Sequence, residues 1–115
     1  MPEGRALALG RFLGQCVFYF SKRRRVAYAD MKAAFGARFT ARERWRMVRA
    51  HYENLGQMGC EFLRSSKLSA QAFETKVTVH HWQRVLQTLG SGQGMVFLTG
   101  HFGNWELMQK LPVFS

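Results

Sequence analysis

Apolar positions along the chain fall first at helical spacing and later into short uninterrupted blocks. Ala6 to Phe20 is an apolar stretch broken by Arg11 and Gln15, and it gives way to the cations Lys22-Arg23-Arg24-Arg25. From Val26 to Phe35, residues Tyr28, Met31 and Phe35 stand at i, i+3 and i+7, a helical stripe that Gly36 ends. Thr40-Ala41-Arg42-Glu43 is a capping box, in which hydroxyl and carboxylate satisfy the first free amides of a helix. Trp45, Val48, Tyr52, Leu55 and Phe62 then hold one face over about five turns, which predicts a long amphipathic helix ending near Ser65. Gly56 and Gly59 disfavour a helix interior unless close packing requires them.

Beyond that helix the pattern changes. Ser69 to Phe73 predicts a short capped helix, Lys76 to His80 a brief strand around Val77-Thr78-Val79, and His81 to Leu89 a helix burying Trp82, Val85, Leu86 and Leu89. Gly90-Ser91-Gly92-Gln93-Gly94 is a turn into a second predicted strand, Met95 to Thr99. Those glycines precede a strand rather than join strand to helix, and no Gly-Lys-Ser/Thr follows, so they are an αβ turn and not a phosphate loop. The element order implies an α/β layered domain with a helical N-terminal extension. Two strands are too few to shield a parallel pair, so the chain reads as the N-terminal part of a larger α/β protein.

Composition adds a partner class. Seventeen Lys and Arg against seven Asp and Glu give a formal net charge of +10, which implies an anionic partner. A hydrophobic content of 47% excludes a disordered basic tail. Cys16 and Cys60 are isolated, without metal-ligand spacing, and read as reduced thiols; no metal site is expected. The first apolar stretch lacks a cleavage site and, ending at Phe20, is shorter than the ~20 residues of a spanning helix. Aromatic-ended and followed by cations, it suits a helix lying in the interface of an anionic leaflet; the alternative is a helix packed on the domain ahead of a solvated basic loop. The arginines of the long helix are either a solvated face or a phosphate-facing one.

The candidate chemistry is His101-Phe102-Gly103-Asn104-Trp105-Glu106, placed after Met95 to Thr99 and Gly100. On a continuous helix of ~3.6 residues per turn, His101 and Glu106 would point about 140° apart. They meet only if His101 lies on a loop and Glu106 in the first turn of a following helix. Gly100 and Gly103 give that loop freedom, and Asn104 is a natural N-cap. The pattern reads as a His base oriented by a carboxylate, a device for activating a hydroxyl. No Ser or Cys nucleophile stands in the motif, which favours direct attack by a substrate hydroxyl. His51, His80 and His81 have no carboxylate facing them and read as structural or surface residues.

The string Thr99-Gly100-His101-Phe102-Gly103-Asn104-Trp105-Glu106-Leu107 resembles the first signature block of the bacterial lipid A biosynthesis (lauroyl/myristoyl) acyltransferases, part of the glycerolipid acyltransferase group with its His-x4-Asp/Glu motif. Arg23-Arg24-Arg25-Val26-Ala27, Asp30-Met31 and Ala34-Phe35 are similar to that family's basic segment and following helix, with Asp30 where Asn is common. Glu61 and Gly92-Gln93-Gly94-Met95-Val96 extend the likeness.

The resemblance implies a helical N-terminal extension followed by the start of an αβα-layered acyltransferase domain. Residues 1–25 would be the membrane-interface helix and basic segment, and 26–115 the N-terminal part of the acyltransferase domain. It also implies a membrane-bound enzyme at the cytoplasmic face of the bacterial inner membrane. The enzyme would move a fatty acyl group from acyl carrier protein or acyl-CoA to a hydroxyl of a membrane glycolipid such as a lipid A precursor. His101 would be the general base and Glu106 its orienting carboxylate; Gly103, Asn104 and Trp105 would shape the site, and Arg23, Arg24 and Arg25 would meet the anionic leaflet. No cofactor and no nucleic acid are implied.

The family's later blocks would lie beyond Ser115, and Pro112 should stop the last helix after about two turns where family members continue it. The 115 residues alone are therefore expected to be an inactive fragment. Two rivals remain: a basic module binding nucleic acid or another polyanion through Arg23 to Arg25 and the Arg42 to Arg49 face, and a non-catalytic lipid-binding remnant.

Overall fold

The computed structural model describes residues 2–110. Five α-helices follow one another: α1 Glu3–Phe20, α2 Arg24–Phe35, α3 Ala41–Ser65, α4 Ala70–Glu74 and α5 Trp82–Gly90. Two 3₁₀ helices, Gly36–Arg38 and Trp105–Lys110, complete the order. The chain divides into two compact units, one ending at Leu63 and one beginning at Arg64.

In the first unit, α1 lies against α3 along a seam of glycine. Ala6, Gly10, Gly14 and Phe18, four residues apart, are the buried positions of α1. A methyl at Gly10 would stand 2.6 Å from the Gly56 carbonyl oxygen, and one at Gly14 would overlap the Tyr52 carbonyl. Gly56 returns the contact against the Gly10 carbonyl. This explains a glycine inside the long helix: its missing side chain lets two backbones touch. At Gly59 nothing lies within 4 Å of an added methyl, so that glycine has no such role.

Above the seam the packing becomes aromatic. Phe18 meets the edges of Trp45 and Tyr52 at centroid distances of 6.2 and 5.8 Å, and Tyr28 of α2 stacks on Trp45 at 4.5 Å. Val48 is the largest fully buried side chain among the described residues. The predicted caps form. The Thr40 N–H and hydroxyl donate to Glu43 Oε2 at 2.7 and 2.8 Å, while the Glu43 N–H donates to Thr40 Oγ1 at 3.3 Å. Gly36 closes α2 with φ of 54°, in the left-handed region where glycine is least costly. Arg44 fastens the α2–α3 connection by donating to the Gly36 and Phe39 carbonyls at 2.9 and 2.6 Å.

The second unit departs from expectation. Ser69 caps α4, accepting from the Ala72 N–H at 3.2 Å, and α5 forms where its periodicity placed it. The two predicted strands, Lys76 to His80 and Met95 to Thr99, do not form, and no strand exists among the described residues. The αβα-layered fold is therefore overturned for this chain, which is helical. The physical reason is pairing. An apolar run becomes a strand only when a neighbour takes its amides and carbonyls. Here the Lys76 and Val77 N–H groups donate back to the Phe73 carbonyl at 2.9 and 3.1 Å, extending the end of α4 instead. Val96 and Leu98 are 94% and 99% exposed, so these two apolar side chains of the second run are not buried as those of a core strand would be. Trp82 and Val85 of α5 are half-buried, whereas Leu86 and Leu89, expected inward, are exposed. The helix stop expected at Pro112 lies outside the described residues.

Candidate active site

His101 sits at the apex of a tight turn. The Phe102 N–H donates to the Gly100 carbonyl at 2.8 Å, closing a three-residue loop that turns the His101 side chain outward into solvent. Gly103, with φ of 55°, then swings the chain into the 3₁₀ helix that begins at Trp105. A residue with a Cβ is disfavoured at that φ, so the glycine after His101–Phe102 has a definite backbone task. Asn104 precedes the 3₁₀ helix, and its carbonyl accepts from the Leu107 N–H at 3.0 Å. The expected loop-to-helix junction thus forms with a 3₁₀ helix in place of an α-helix, but without the expected side-chain cap, because Asn104 Oδ1 accepts no hydrogen bond among the described residues.

The structure brings His101 and Trp105 together. Their ring centroids are 4.6 Å apart at an interplanar angle of 61°, an edge contact that limits how the imidazole can rotate. Glu106 is half-buried in the first turn of the 3₁₀ helix, as its spacing required. Among the described residues no hydrogen bond or ion pair joins it to His101. Phe102 is 92% exposed and packs no core. An exposed imidazole, steered by an indole and followed by a carboxylate on the next turn, can serve as a base toward a group arriving from solvent.

The basic segment divides by role. Arg24 lies over the Phe18 ring at 5.5 Å and donates to the Phe18 carbonyl at 3.3 Å, so it ties the end of α1 to the start of α2. Arg23 and Arg25 are exposed on either side of it. Leu9, Phe12, Leu13, Val17 and Phe20 of α1 are exposed as well, Phe20 by 88%. Among the described residues no helix is long and apolar enough to cross a membrane.

One cluster escaped the sequence reading. Glu53 Oε1 accepts from Gln15 Nε2 and Arg49 Nε, both at 2.9 Å, and Oε2 accepts from Arg11 Nε at 2.8 Å. Burial pushes the Glu53 carboxyl up, but the bonds from Gln15, Arg49 and Arg11 outweigh it and hold the group below its ordinary range. Arg11 and Gln15 are thus the polar partners of a carboxylate, not mere interruptions of an apolar stretch. The usable signal was their four-residue spacing, repeated by Arg49 and Glu53 on α3.

A family model described as bacterial lipid A biosynthesis acyltransferase matches residues 1–111. No curated protein and no solved structure matches the chain.

Proposed function

The chain belongs to the bacterial lipid A biosynthesis acyltransferase family, and from that premise we propose that it transfers a fatty acyl group from a carrier thioester to a hydroxyl of a lipid A precursor, with His101 as general base. Membership makes the protein an acyltransferase of lipid A biosynthesis, which implies an acyl donor, a lipid A glycolipid acceptor and association with a membrane. The proposal adds the donor class, acyl carrier protein or acyl-CoA, the residues that act, and the cytoplasmic face of the inner membrane as the place.

In the proposed reaction His101 removes the proton from the acceptor hydroxyl as that oxygen attacks the thioester carbonyl. The new carbon–oxygen bond forms, the carbon–sulfur bond breaks, and the proton passes from the imidazolium to the departing thiolate. Glu106 stabilises the imidazolium and orients the ring. Glu106 makes no hydrogen bond to His101 among the described residues, so in the proposed mechanism that bond forms as the acceptor hydroxyl is bound. Trp105 holds one edge of the imidazole, and Gly103 and Asn104 set the turn that presents it. Arg23 and Arg25 face the anionic leaflet, with the exposed apolar side of α1 beside them.

The observation that carries the reading is the family match across residues 1–111, together with an exposed His101 at the start of the Gly103-Asn104-Trp105-Glu106 turn. Membranes from cells producing the protein from its own gene, given a radiolabelled acyl thioester, should label the lipid fraction. His101→Ala should reduce that labelling by about 100-fold or more, the usual scale of a lost general base. Glu106→Gln should reduce it less. Labelling that persists in His101→Ala membranes at equal protein abundance would sink the assignment.

A further inference from the structure

The acyl-transfer reading leaves one well-built feature unused: an open groove of about 500 Å³ in the first unit, lined by Arg11 of α1 and by Arg46, Arg49, Glu43 and Glu53 of α3. We propose that this groove binds a phosphate group, presented either on a lipid headgroup or as a free phosphoester. The proposal goes beyond the assignment of His101 and stands independently of it.

Charge balance and saturation carry the argument. Both Glu53 oxygens already accept hydrogen bonds, from Arg11, Gln15 and Arg49. Glu43 is tied to the Thr40 N–H and hydroxyl, and Thr40 holds its carboxyl below the ordinary range. Arg46 adds only a weaker electrostatic pull on Glu43, without a hydrogen bond, so neither carboxylate takes up the Arg46 donors. Three guanidiniums against two carboxylates leave the groove with one positive charge in excess.

The donors that remain suit a tetrahedral anion. Arg11 and Arg49 each give only Nε to Glu53, so the Nη groups of both stay open. Arg46 makes no hydrogen bond among the described residues. A solvated arginine face has no reason to be fixed, yet here Glu53 anchors two guanidiniums from helices far apart in sequence, and Arg46 lines the same groove. Three guanidinium forks around one groove match the three terminal oxygens of a phosphomonoester, a pairing in which arginine outperforms lysine.

The full chain should bind methyl phosphate and inorganic phosphate saturably by calorimetry, or float with phosphatidylcholine vesicles containing phosphatidate and not with phosphatidylcholine alone. Arg46→Gln should weaken that binding about tenfold, the scale of one lost charge-assisted contact. Arg42→Gln removes the same charge from the same helix outside the groove, and should change affinity less than twofold. Circular dichroism melts of both variants should match the unaltered chain, since neither side chain holds the fold. Binding confined to phosphatidate vesicles identifies a headgroup ligand, and binding confined to methyl or inorganic phosphate identifies a soluble one. Absence of saturable binding to every probe, or equal loss in Arg46→Gln and Arg42→Gln, overturns the proposal. None of these readouts involves acyl transfer, so they separate from a failure of His101.

Discussion

Glycine has opposite uses in the two units of this protein. In the first unit Gly10, Gly14 and Gly56 remove side chains so that two helices can touch backbone to backbone. In the second, Gly103 meets nothing within 4 Å and serves instead to reverse the chain after His101. One unit uses the residue to pack, the other to present a side chain. Buried carboxylate, aromatic cluster and capping box all lie with the packed seam, whereas the proposed base stands exposed on a short turn. Stability and reactivity are therefore expected to respond to different substitutions.

The largest effect should come from refilling the seam. Gly14→Val drives a branched side chain into the Tyr52 carbonyl and should cost about 3 kcal/mol, enough to unfold a marginal unit. Gly59→Ala on α3, the facing helix, has open space and should stabilise by about 0.5 kcal/mol. Thermal melts of the two variants would blunt the comparison if they shifted alike.

Glu53→Ala should follow, at about 2 kcal/mol, because it strips the bonds from Arg11, Gln15 and Arg49 while those exposed cations recover hydration. The same carboxylate sets an acid limit. Its folded pKa lies below its ordinary value near 4.5, so its contribution is complete above that value and fades as pH falls through the lowered one. Acid titration followed by circular dichroism should show this loss in the unaltered protein and not in Glu53→Gln.

Thr40→Ala should cost about 1 kcal/mol, by removing the side-chain half of the capping box at the start of α3. Smallest of all should be the stability cost of His101→Ala, near zero, since the residue is exposed and its ring meets the edge of Trp105.

Local signals were readable in the sequence and distant ones were not. Thr40 and Glu43, Gly36, and Ser69 each fixed a helix end because the groups involved lie within a few residues of each other. The strands failed for the opposite reason. The run from Met95 to Thr99 has the right residue types, but a strand is a relation to another segment, and no described segment pairs with it. Glu53 was hidden for the same cause, as Arg11 stands 42 positions away and Gln15 stands 38 away. At the candidate site the turn was legible from Gly100 and Gly103, and the spacing put Glu106 in the following helical turn. The edge contact of Trp105 on His101 was not foreseen, because four-residue spacing across a turn depends on the turn's shape.

The central claim is that His101 supplies chemistry and no structural support. It is tested most directly by placing His101→Ala in the gene at its own locus and measuring two things in the same cells: protein abundance and the mass spectrum of extracted lipid A. Abundance should stay unchanged, and lipid A should lack one acyl chain. A complete lipid A spectrum beside undiminished protein would contradict the claim.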